Sequence, residues 1–142
     1  MKFHLDIITP ERKAFSEDVD QISVATPNGM IGVLAQHEPL FTSLSEGEVK
    51  ITQDGKEFFL AIGGGFMEVR QDGTATILVS RAVHATELNE SEIKKAMDSA
   101  KALVARKVTG EELTVALSTL RRSLLELKVS RRRKSTPFPG QH

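Results

Sequence analysis

The order of hydrophobic and polar positions divides the chain into two parts. In the first 85 or so residues, apolar side chains alternate with polar ones over short runs such as "KFHLDII", "QISVAT" and "EVKIT". This period of two is typical of half-buried β-strands. The runs "KEFFLAI" and "TATILVS" are rich in β-branched and aromatic residues and also suit a sheet. Short strands at this spacing predict a β-sandwich or barrel.

Turn residues separate these strands. The Asp-Gly pairs at 54–55 and 72–73 predict tight hairpins, because both residues of a two-residue turn need positive φ. The sequence "PNG" at 27–29 predicts a third turn, and it places Met30 and Ile31 at a loop tip. Apolar residues at such a tip favour a covering partner, and a tip folded back on its own sandwich is the alternative.

The period changes to 3.6 near residue 88, which predicts two helices. Asn89 followed by Glu92 predicts a capping box for the first helix, and Thr109 with Glu112 predicts one for the second. Each helix has one apolar stripe; the first comprises Ile93, Ala96, Met97, Ala100, Leu103 and Val104, and the second Leu113, Ala116, Leu117, Leu120, Leu124 and Leu127. The short connection predicts an antiparallel pair.

These patterns predict an α+β protein. An N-terminal antiparallel β-sandwich at residues 1–86 is followed by a C-terminal antiparallel helical hairpin at 87–134 and a flexible tail at 135–142. At 39% hydrophobic residues the 142-residue chain is able to bury a core. It has no cysteine, which excludes disulfides and thiolate metal sites. No run approaches the roughly 20 apolar residues that span a bilayer.

Charge is unevenly distributed between the two parts. Residues 1–88 carry 7 Lys/Arg against 13 Asp/Glu, a net charge of −6, and residues 89–142 carry 12 against 6, a net charge of +6. Such a division indicates two parts that bind different partners or attract each other. The second helix and the residues just after it are rich in cations, and Glu126 is the one acid that these cations face in the local sequence. The cations include Arg121, Arg122, Lys128, Arg131 and Arg132.

Three consecutive glycines at 63–65 raise the possibility of a nucleotide site. A phosphate-binding glycine loop follows a strand and opens a helix, whereas these glycines precede another strand-like run. They therefore predict a bend or bulge where backbones approach closely. The four histidines are scattered without catalytic or metal-binding spacing, and His37, in the loop "LAQHEPLF", is interpreted as a structural or interface residue. The sequence predicts no active site, cofactor or metal.

Four short motifs, taken in order, resemble the epsilon subunit of F-type ATP synthase. They are Leu5-x-Ile7-x-Thr9-Pro10, Gly29-x-x-Gly32-x-Leu34-x-x-His37-x-Pro39, Gly47-x-Val49-x-Ile51 and Gly64-Gly65-Phe66-x-Glu68-Val69. Together with a sandwich followed by a helical hairpin, the resemblance covers residues from about 3 to 134. One departure lies ahead of His37, where Ala35 and Gln36 replace the Pro-Gly that is frequent in the family.

The resemblance implies a rotor subunit without catalysis of its own. In that family the sandwich joins the gamma subunit of the central stalk to the c-ring. The hairpin inhibits ATP hydrolysis when it extends into the catalytic head of alpha and beta subunits. By this resemblance Met30, Ile31 and His37 contact the c-ring and stalk. The implied inhibitory contacts are Arg121, Arg122, Lys128, Arg131 and Arg132. The implied location is peripheral, on the cytoplasmic face of the bacterial inner membrane or the stromal face of the thylakoid.

Two further expectations concern ligands. Some bacterial members bind ATP through Ile-Asp-x-x-Arg-Ala at the start of the first helix, and the matching positions here are Leu88, Asn89, Glu92 and Ile93. An acid in place of the arginine repels phosphate, so no tight ATP binding is predicted. The alternative function is a nucleic-acid or anion-binding module that uses the basic helix. The absence of interleaved aromatic residues and the acidic sandwich disfavour nucleic acid as a partner.

Overall fold

The computed structural model describes residues 1–132, which form ten strands, one 3₁₀ turn and two α-helices. Two five-stranded sheets pack face to face as a sandwich, and the helices follow it in the chain. This confirms the predicted α+β class, with a sandwich first and a helical hairpin second. The predicted tail at 135–142 and the last two residues of the predicted hairpin lie outside the described residues.

The strands, numbered in chain order, are Phe3–Ile8 (β1), Lys13–Val19 (β2), Gln21–Thr26 (β3), Gly29–Leu34 (β4), Leu40–Leu44 (β5), Gly47–Gln53 (β6), Lys56–Ile62 (β7), Gly65–Val69 (β8), Ala75–Val79 (β9) and Ala82–His84 (β10). The first sheet has the order β2-β1-β9-β8-β5, and the second has β10-β7-β6-β3-β4. Neighbouring strands pair antiparallel, except β1 and β9, which run parallel.

The main core lies between the two sheets and is built from alternate residues of the strands. In β1 the inward residues Phe3, Leu5 and Ile7 are buried, while the residues between them are half-buried. In β7, Leu60 and Ile62 point into the same core. Burying a side chain of this size contributes about 1.5–3 kcal/mol to folding. The alternation in the sequence therefore corresponds to the inner and outer faces of the sandwich.

The two Asp-Gly pairs adopt different turns. The pair at 54–55 forms the predicted tight hairpin between β6 and β7, with φ of 52° at Asp54 and 79° at Gly55. The pair at 72–73 also lies in a hairpin, since β8 and β9 pair antiparallel, but the tight turn predicted there is wrong, because the two strands are joined by the longer loop 70–74. There Asp72 accepts hydrogen bonds from the Thr74 amide (2.9 Å) and hydroxyl (2.8 Å), so its side chain closes the loop.

The glycine run at 63–65 is a place of close backbone approach, as predicted. A Cβ on Gly65 would collide with the carbonyl oxygen of Leu78 and would lie 2.8 Å from the Cα of Val79. A Cβ on Gly63 would collide with the Ser80 hydroxyl. These glycines let the start of β8 lie against β9, and they do not open a helix.

The helices are Glu90–Ala105 (α1) and Gly110–Ser130 (α2). Asn89 caps α1 as predicted, since its side chain accepts a hydrogen bond from the Glu92 amide at 3.1 Å. Thr109 occupies the N-cap position of α2, but its side chain makes no capping hydrogen bond, so the second capping box is wrong. Gly110, which follows Thr109, has a φ of 64°, so the backbone takes a left-handed conformation between Thr109 and Glu112, its predicted partner in the capping box.

The predicted stripes meet along one side of each helix, but not every member is covered. The residues that are buried or half-buried are Ile93, Met97, Ala100, Leu103, Val104, Leu113, Ala116, Leu120 and Leu127. Ala96 is exposed on α1, and Leu117 and Leu124 of α2 are 45% and 59% exposed. The stripe on α2 is therefore wider than the surface that α1 covers.

Candidate interaction surfaces

The hairpin is folded against the sandwich, and α2 makes the contact. A second apolar cluster, separate from the main core, contains Val129 of α2, Phe59 and Ala61 of β7, and Ala85 of the 3₁₀ turn Ala85–Glu87. Phe59 and Ala61 alternate with residues of the main core, so they lie on the outer face of the second sheet. Two half-buried residues, Leu88 and Leu125, complete this contact.

The C-terminal end of α2 carries the closest ion pairs between hairpin and sandwich. Arg132 donates from Nε and Nη2 to the two carboxylate oxygens of Glu48, at 2.9 and 3.0 Å. Its guanidinium also lies 5.3 Å from the centroid of the Phe59 ring. The hydrogen bond to Glu48 raises the pKa of Arg132. Next to it, Arg131 Nε donates to Glu90 of α1 at 2.7 Å.

A second group of ion pairs lies nearer the middle of α2. Arg121 Nε is 3.5 Å from the Glu46 carboxylate of the sandwich, and Arg122 Nε is 3.5 Å from Glu126. Arg81 of the sandwich lies between them, 3.5 Å from Glu46 and 4.0 Å from Glu126. The expectation that the basic helix faces only Glu126 among acids is therefore wrong, because the tertiary fold supplies the other carboxylates.

Lys128 differs from the four arginines. Its side chain is exposed, and no carboxylate in residues 1–132 lies within ion-pair distance of it. The five cations expected to make inhibitory contacts thus divide into four that are paired within this fold and one that is solvated.

Met30 and Ile31 lie on β4 and not at a loop tip, so that expectation is wrong. Pairing of Thr26 with Gly29 leaves only the two residues between them in the turn, and β4 begins before Met30. Met30 is 61% exposed on the outer face of the second sheet. Ile31 points inward, is half-buried and packs against the main core. The alternation along β4 thus separates the two side chains onto opposite faces.

His37 lies in the turn that follows β4, at the other end of the strand from Met30. Met30 lies four residues before Leu34 on β4, which is about 13 Å at roughly 3.3 Å per residue. The His37 amide bonds back to the Leu34 carbonyl at 3.2 Å, so Met30 and His37 lie at opposite ends of β4. The His37 ring donates from Nδ1 to the backbone carbonyl of Glu38 at 2.6 Å. It lines an open groove of about 470 Å³ together with His4 and Asp72. Within residues 1–132 no carboxylate is hydrogen-bonded to His37.

An exposed apolar face on the first sheet was not predicted. Phe41 of β5, Phe66 of β8 and Leu78 of β9 are 68%, 49% and 52% exposed on neighbouring strands. The two phenyl rings stack with centroids 5.6 Å apart, and Phe66 lies directly opposite Leu78. Half-buried Ile8 of β1 is the next residue across the sheet. These four residues are called the apolar face below.

A signal for the apolar face exists in the sequence. In "GFMEV" and "ATILV" a large apolar residue stands out of phase with the buried ones, so both faces of the strand are partly apolar. If polar and apolar residues alternated strictly, positions 66 and 78 would each hold a polar residue. Apolar residues on both sides of a strand indicate either burial on both sides or a surface that a partner covers.

A hydrogen-bonded network ties the 3₁₀ turn to the sandwich. Arg12 donates to both carboxylate oxygens of Glu87, at 2.8 and 3.0 Å, and to the Ala82 carbonyl at 2.8 Å. Burial raises the pKa of Glu87, but hydrogen bonds from Arg12 and from the His84 amide outweigh it and lower the pKa overall. Buried His84 donates from Nε2 to the Ala14 carbonyl at 2.6 Å. The chain is thus anchored immediately before the helices begin.

A polar cluster occupies the outer face of β1 and β2. His4 lies 2.9 Å from Asp18, 3.2 Å from Asp6 and 3.2 Å from Ser16. The hydrogen bond to Asp18 raises the pKa of His4, with a further contribution from Asp6. Within residues 1–132, neither this cluster nor any other group of three or more His, Asp or Glu side chains is arranged so that it could hold a metal ion. In the same part of the chain, neither helix is long and apolar enough to span a bilayer.

The fold and the sequence both match known proteins. Residues 2–85 match a family model described as the beta-sandwich domain of the ATP synthase Delta/Epsilon chain. The ATP synthase epsilon chain of Caldanaerobacter subterraneus subsp. tengcongensis is 39% identical over 129 residues, which cover 90% of this chain and 93% of that one. The epsilon chain of Chloroflexus aggregans is 37% identical over 134 residues, covering 94% and 96%.

Solved structures share the fold at lower identity. A chain in the cryo-EM structure of the Euglena gracilis mitochondrial ATP synthase (OSCP/F1/c-ring) matches with a TM-score of 0.66 at 24% identity, over 94% of this chain and 80% of that one. A chain in the Tetrahymena thermophila mitochondrial ATP synthase central stalk/c-ring structure gives 0.58 at 16% identity, over 92% and 97%. With the sandwich match and the identity to full-length relatives, this chain belongs to the ATP synthase epsilon chain family.

Proposed function

We propose that this chain is a non-catalytic rotor subunit of a proton-translocating ATP synthase. In this proposal the sandwich, residues 1–86, couples the central stalk to the c-ring, and the hairpin, residues 87–134, inhibits ATP hydrolysis. The partners are the gamma subunit, the c-ring, and the alpha and beta subunits of the catalytic head. The chain would be peripheral to the membrane, on its cytoplasmic or stromal face. Family membership and the two-part fold support the proposal.

The apolar face is the surface best suited to bind the gamma subunit. Three large apolar side chains are about half exposed or more, and they lie on adjacent paired strands, so their positions are fixed before a partner arrives. A contiguous apolar surface that is preorganised binds at a small entropic cost. The sandwich beneath it has its own core, so docking here needs no rearrangement of the hairpin.

The other predicted contacts lie elsewhere on the sandwich. Met30, exposed at one end of β4, and His37, in the turn at its other end, are proposed to contact the c-ring and the stalk from separate places. Ile31 packs inward, so we assign it the role of holding β4 on the core beneath Met30.

The observation that carries the inhibitory function is the separation of the two apolar clusters. Within residues 1–132, no buried residue of the main core lies beyond Ala82, and the hairpin contact depends on buried Val129 and half-buried Leu125 of α2. Because Leu125 is only partly covered, these two side chains contribute less than the roughly 3–6 kcal/mol of two fully buried ones, before entropic losses. The hairpin is therefore able to leave the sandwich while the sandwich core stays intact. Once released, its cations (Arg121, Arg122, Lys128, Arg131 and Arg132) would contact the catalytic head.

The nucleic-acid or anion-binding alternative has less support. Four of the five cations already pair with carboxylates of this chain, and a phosphate would have to displace those carboxylates. Retention on a nucleic-acid column that falls steeply with salt would favour this alternative.

Reconstitution tests the proposed function. The catalytic head and stalk are assembled with the full chain or with a chain that ends at Leu88, which retains the whole main core and the Arg12–Glu87 network. We expect both chains to bind the stalk and only the full chain to suppress ATP hydrolysis. Equal hydrolysis rates with both chains bound would contradict the inhibitory role. Failure of both to bind would contradict assignment to the stalk.

A further inference from the structure

The cations proposed to inhibit hydrolysis are already occupied in the folded-down hairpin. Arg132 is bonded to Glu48, Arg131 to Glu90, and Arg121 lies against Glu46. A guanidinium that donates to one carboxylate through two N–H groups cannot present the same edge to another acidic surface. Binding of an acidic partner to the bonded edge of Arg132 therefore requires that its pair with Glu48 first breaks, whereas Arg121 and Arg131 are each paired through Nε alone and remain 68% and 58% exposed.

The Arg132 contact is the most completely formed of these pairs. Both Glu48 oxygens accept hydrogen bonds, and only 14% of the Glu48 side chain is exposed to solvent. The face of the guanidinium rests over Phe59, which Val129 covers one helical turn earlier. Bidentate geometry, an aromatic platform and partial burial distinguish this pair from exposed surface pairs, which contribute little.

We propose that Glu48 and Glu46 of the sandwich form an acidic latch that holds α2 in place by occupying arginines that an acidic partner would bind. The latch rests on the proposed function, since it specifies what must be displaced before the hairpin inhibits. Release is then an exchange of carboxylates around the same arginines. Removing a latch carboxylate favours release and leaves the arginines available, whereas removing an arginine favours release but also removes the inhibitory contact.

The conformational test uses the full chain alone. The natural sequence has no cysteine, so an introduced pair carries labels without background. We place one label at Asn28, in the turn between β3 and β4, and one at Leu124, which is 59% exposed on α2. The distribution of distances between the labels reports the ratio of detached to docked hairpin. Glu68→Gln is the matched control, because Glu68 also pairs with an arginine, Arg70 at 3.3 Å, but lies on β8 of the first sheet, whereas α2 packs on β7 of the second.

We expect Glu48→Gln to raise the ratio of detached to docked hairpin about tenfold, as for loss of a charge-assisted hydrogen-bonded pair. Glu68→Gln should change it less than about twofold. Raising the ionic strength from about 0.1 M to about 1 M shortens the screening length from about 10 Å to about 3 Å, so salt should release the natural chain more than the Glu48→Gln variant. Equal ratios for the two glutamine variants would overturn the latch.

Charge exchange and hydrolysis complete the test. The double variant Glu48→Arg with Arg132→Glu should recover part of the docking that each single variant loses; a double variant no better than the singles would overturn the latch. In the reconstituted complex, Glu48→Gln should strengthen inhibition and Arg132→Gln should weaken it. If the label distances respond while hydrolysis does not, the latch stands and the proposed inhibitory function fails.

Discussion

Replacing Phe41 by serine should reduce the free energy of gamma-subunit binding by more than it reduces the free energy of unfolding. Phe41 is 68% exposed, and a phenylalanine side chain covers about 150–250 Å² when fully buried, so about 140 Å² remains for a partner. At about 25 cal/mol per Å², that area contributes at most about 3.5 kcal/mol to binding. We expect Phe41→Ser to weaken binding roughly 30- to 100-fold. The loss in folding stability, from the Phe66 stacking and the buried third of the ring, should be about 1 kcal/mol.

Titration of the full chain onto isolated central stalk, by calorimetry or surface binding, measures the first effect, and chemical denaturation measures the second. Val115→Ser is the matched control, because Val115 is 56% exposed on α2 and is in none of the contacts proposed for the stalk. We expect the control to retain the natural affinity within about twofold. The reasoning is refuted if Phe41→Ser binds as tightly as the natural chain, or if Val115→Ser loses as much affinity.

Three further predictions concern stability. Gly65→Ala should cost more than about 3 kcal/mol in unfolding free energy, because its Cβ collides with backbone, whereas Gly64→Ala should cost less than about 1 kcal/mol; equal losses on denaturation would contradict this. The raised pKa of His4 means that its bond to Asp18 stabilises below the unfolded pKa of about 6.5 and is lost as pH rises through the folded pKa, so His4→Gln should cost more at about pH 5.5 than at about pH 8.5. If His4→Gln lowered the free energy of unfolding by the same amount at both pH values, the stabilising role of protonated His4 would be excluded. Because the pKa of Glu87 is lowered, its ionised form stabilises the fold above the unfolded pKa of about 4.5, and this contribution falls as pH falls through the folded pKa. Glu87→Gln should therefore cost about 1 kcal/mol or less at about pH 7, and less at about pH 3 than at about pH 7. Denaturant unfolding of the natural chain and of Glu87→Gln at both pH values measures this difference, and an equal cost at the two pH values would contradict the prediction.

Local patterns in the sequence were sufficient to predict the class of fold and most of the individual strands, helices and turns. Because Phe3, Leu5 and Ile7 alternate with polar residues, they lie on one face of a strand, and that face is buried whatever position the strand has in the sheet. The Asn89 cap and the tight turn at 54–55 depend on residues within three positions of each other. Such features were predicted correctly because their physical causes, backbone dihedral preference and side-chain period, act over a few residues.

Two local predictions, the second capping box and the tight turn at 72–73, were wrong, and the prediction for the basic helix failed because its cause was distant in sequence. Arg132 and Glu48 are 84 positions apart, and only the packing of α2 on β7 brings them within 3 Å. The sequence alone left the basic helix without acidic partners for this reason. The parallel pairing of β1 with β9 likewise depends on how the chain winds between the two sheets.

What the sequence by itself determined is the set of elements, their inner faces, and a short list of family motifs. What only the tertiary structure decided is which outer faces are covered. It covers Phe59 with α2, leaves Phe41 exposed on the opposite sheet, and places Met30 and Ile31 on opposite sides of one strand. Periodicity separates inside from outside within one element, whereas coverage of an outer face depends on contacts between elements far apart in the chain.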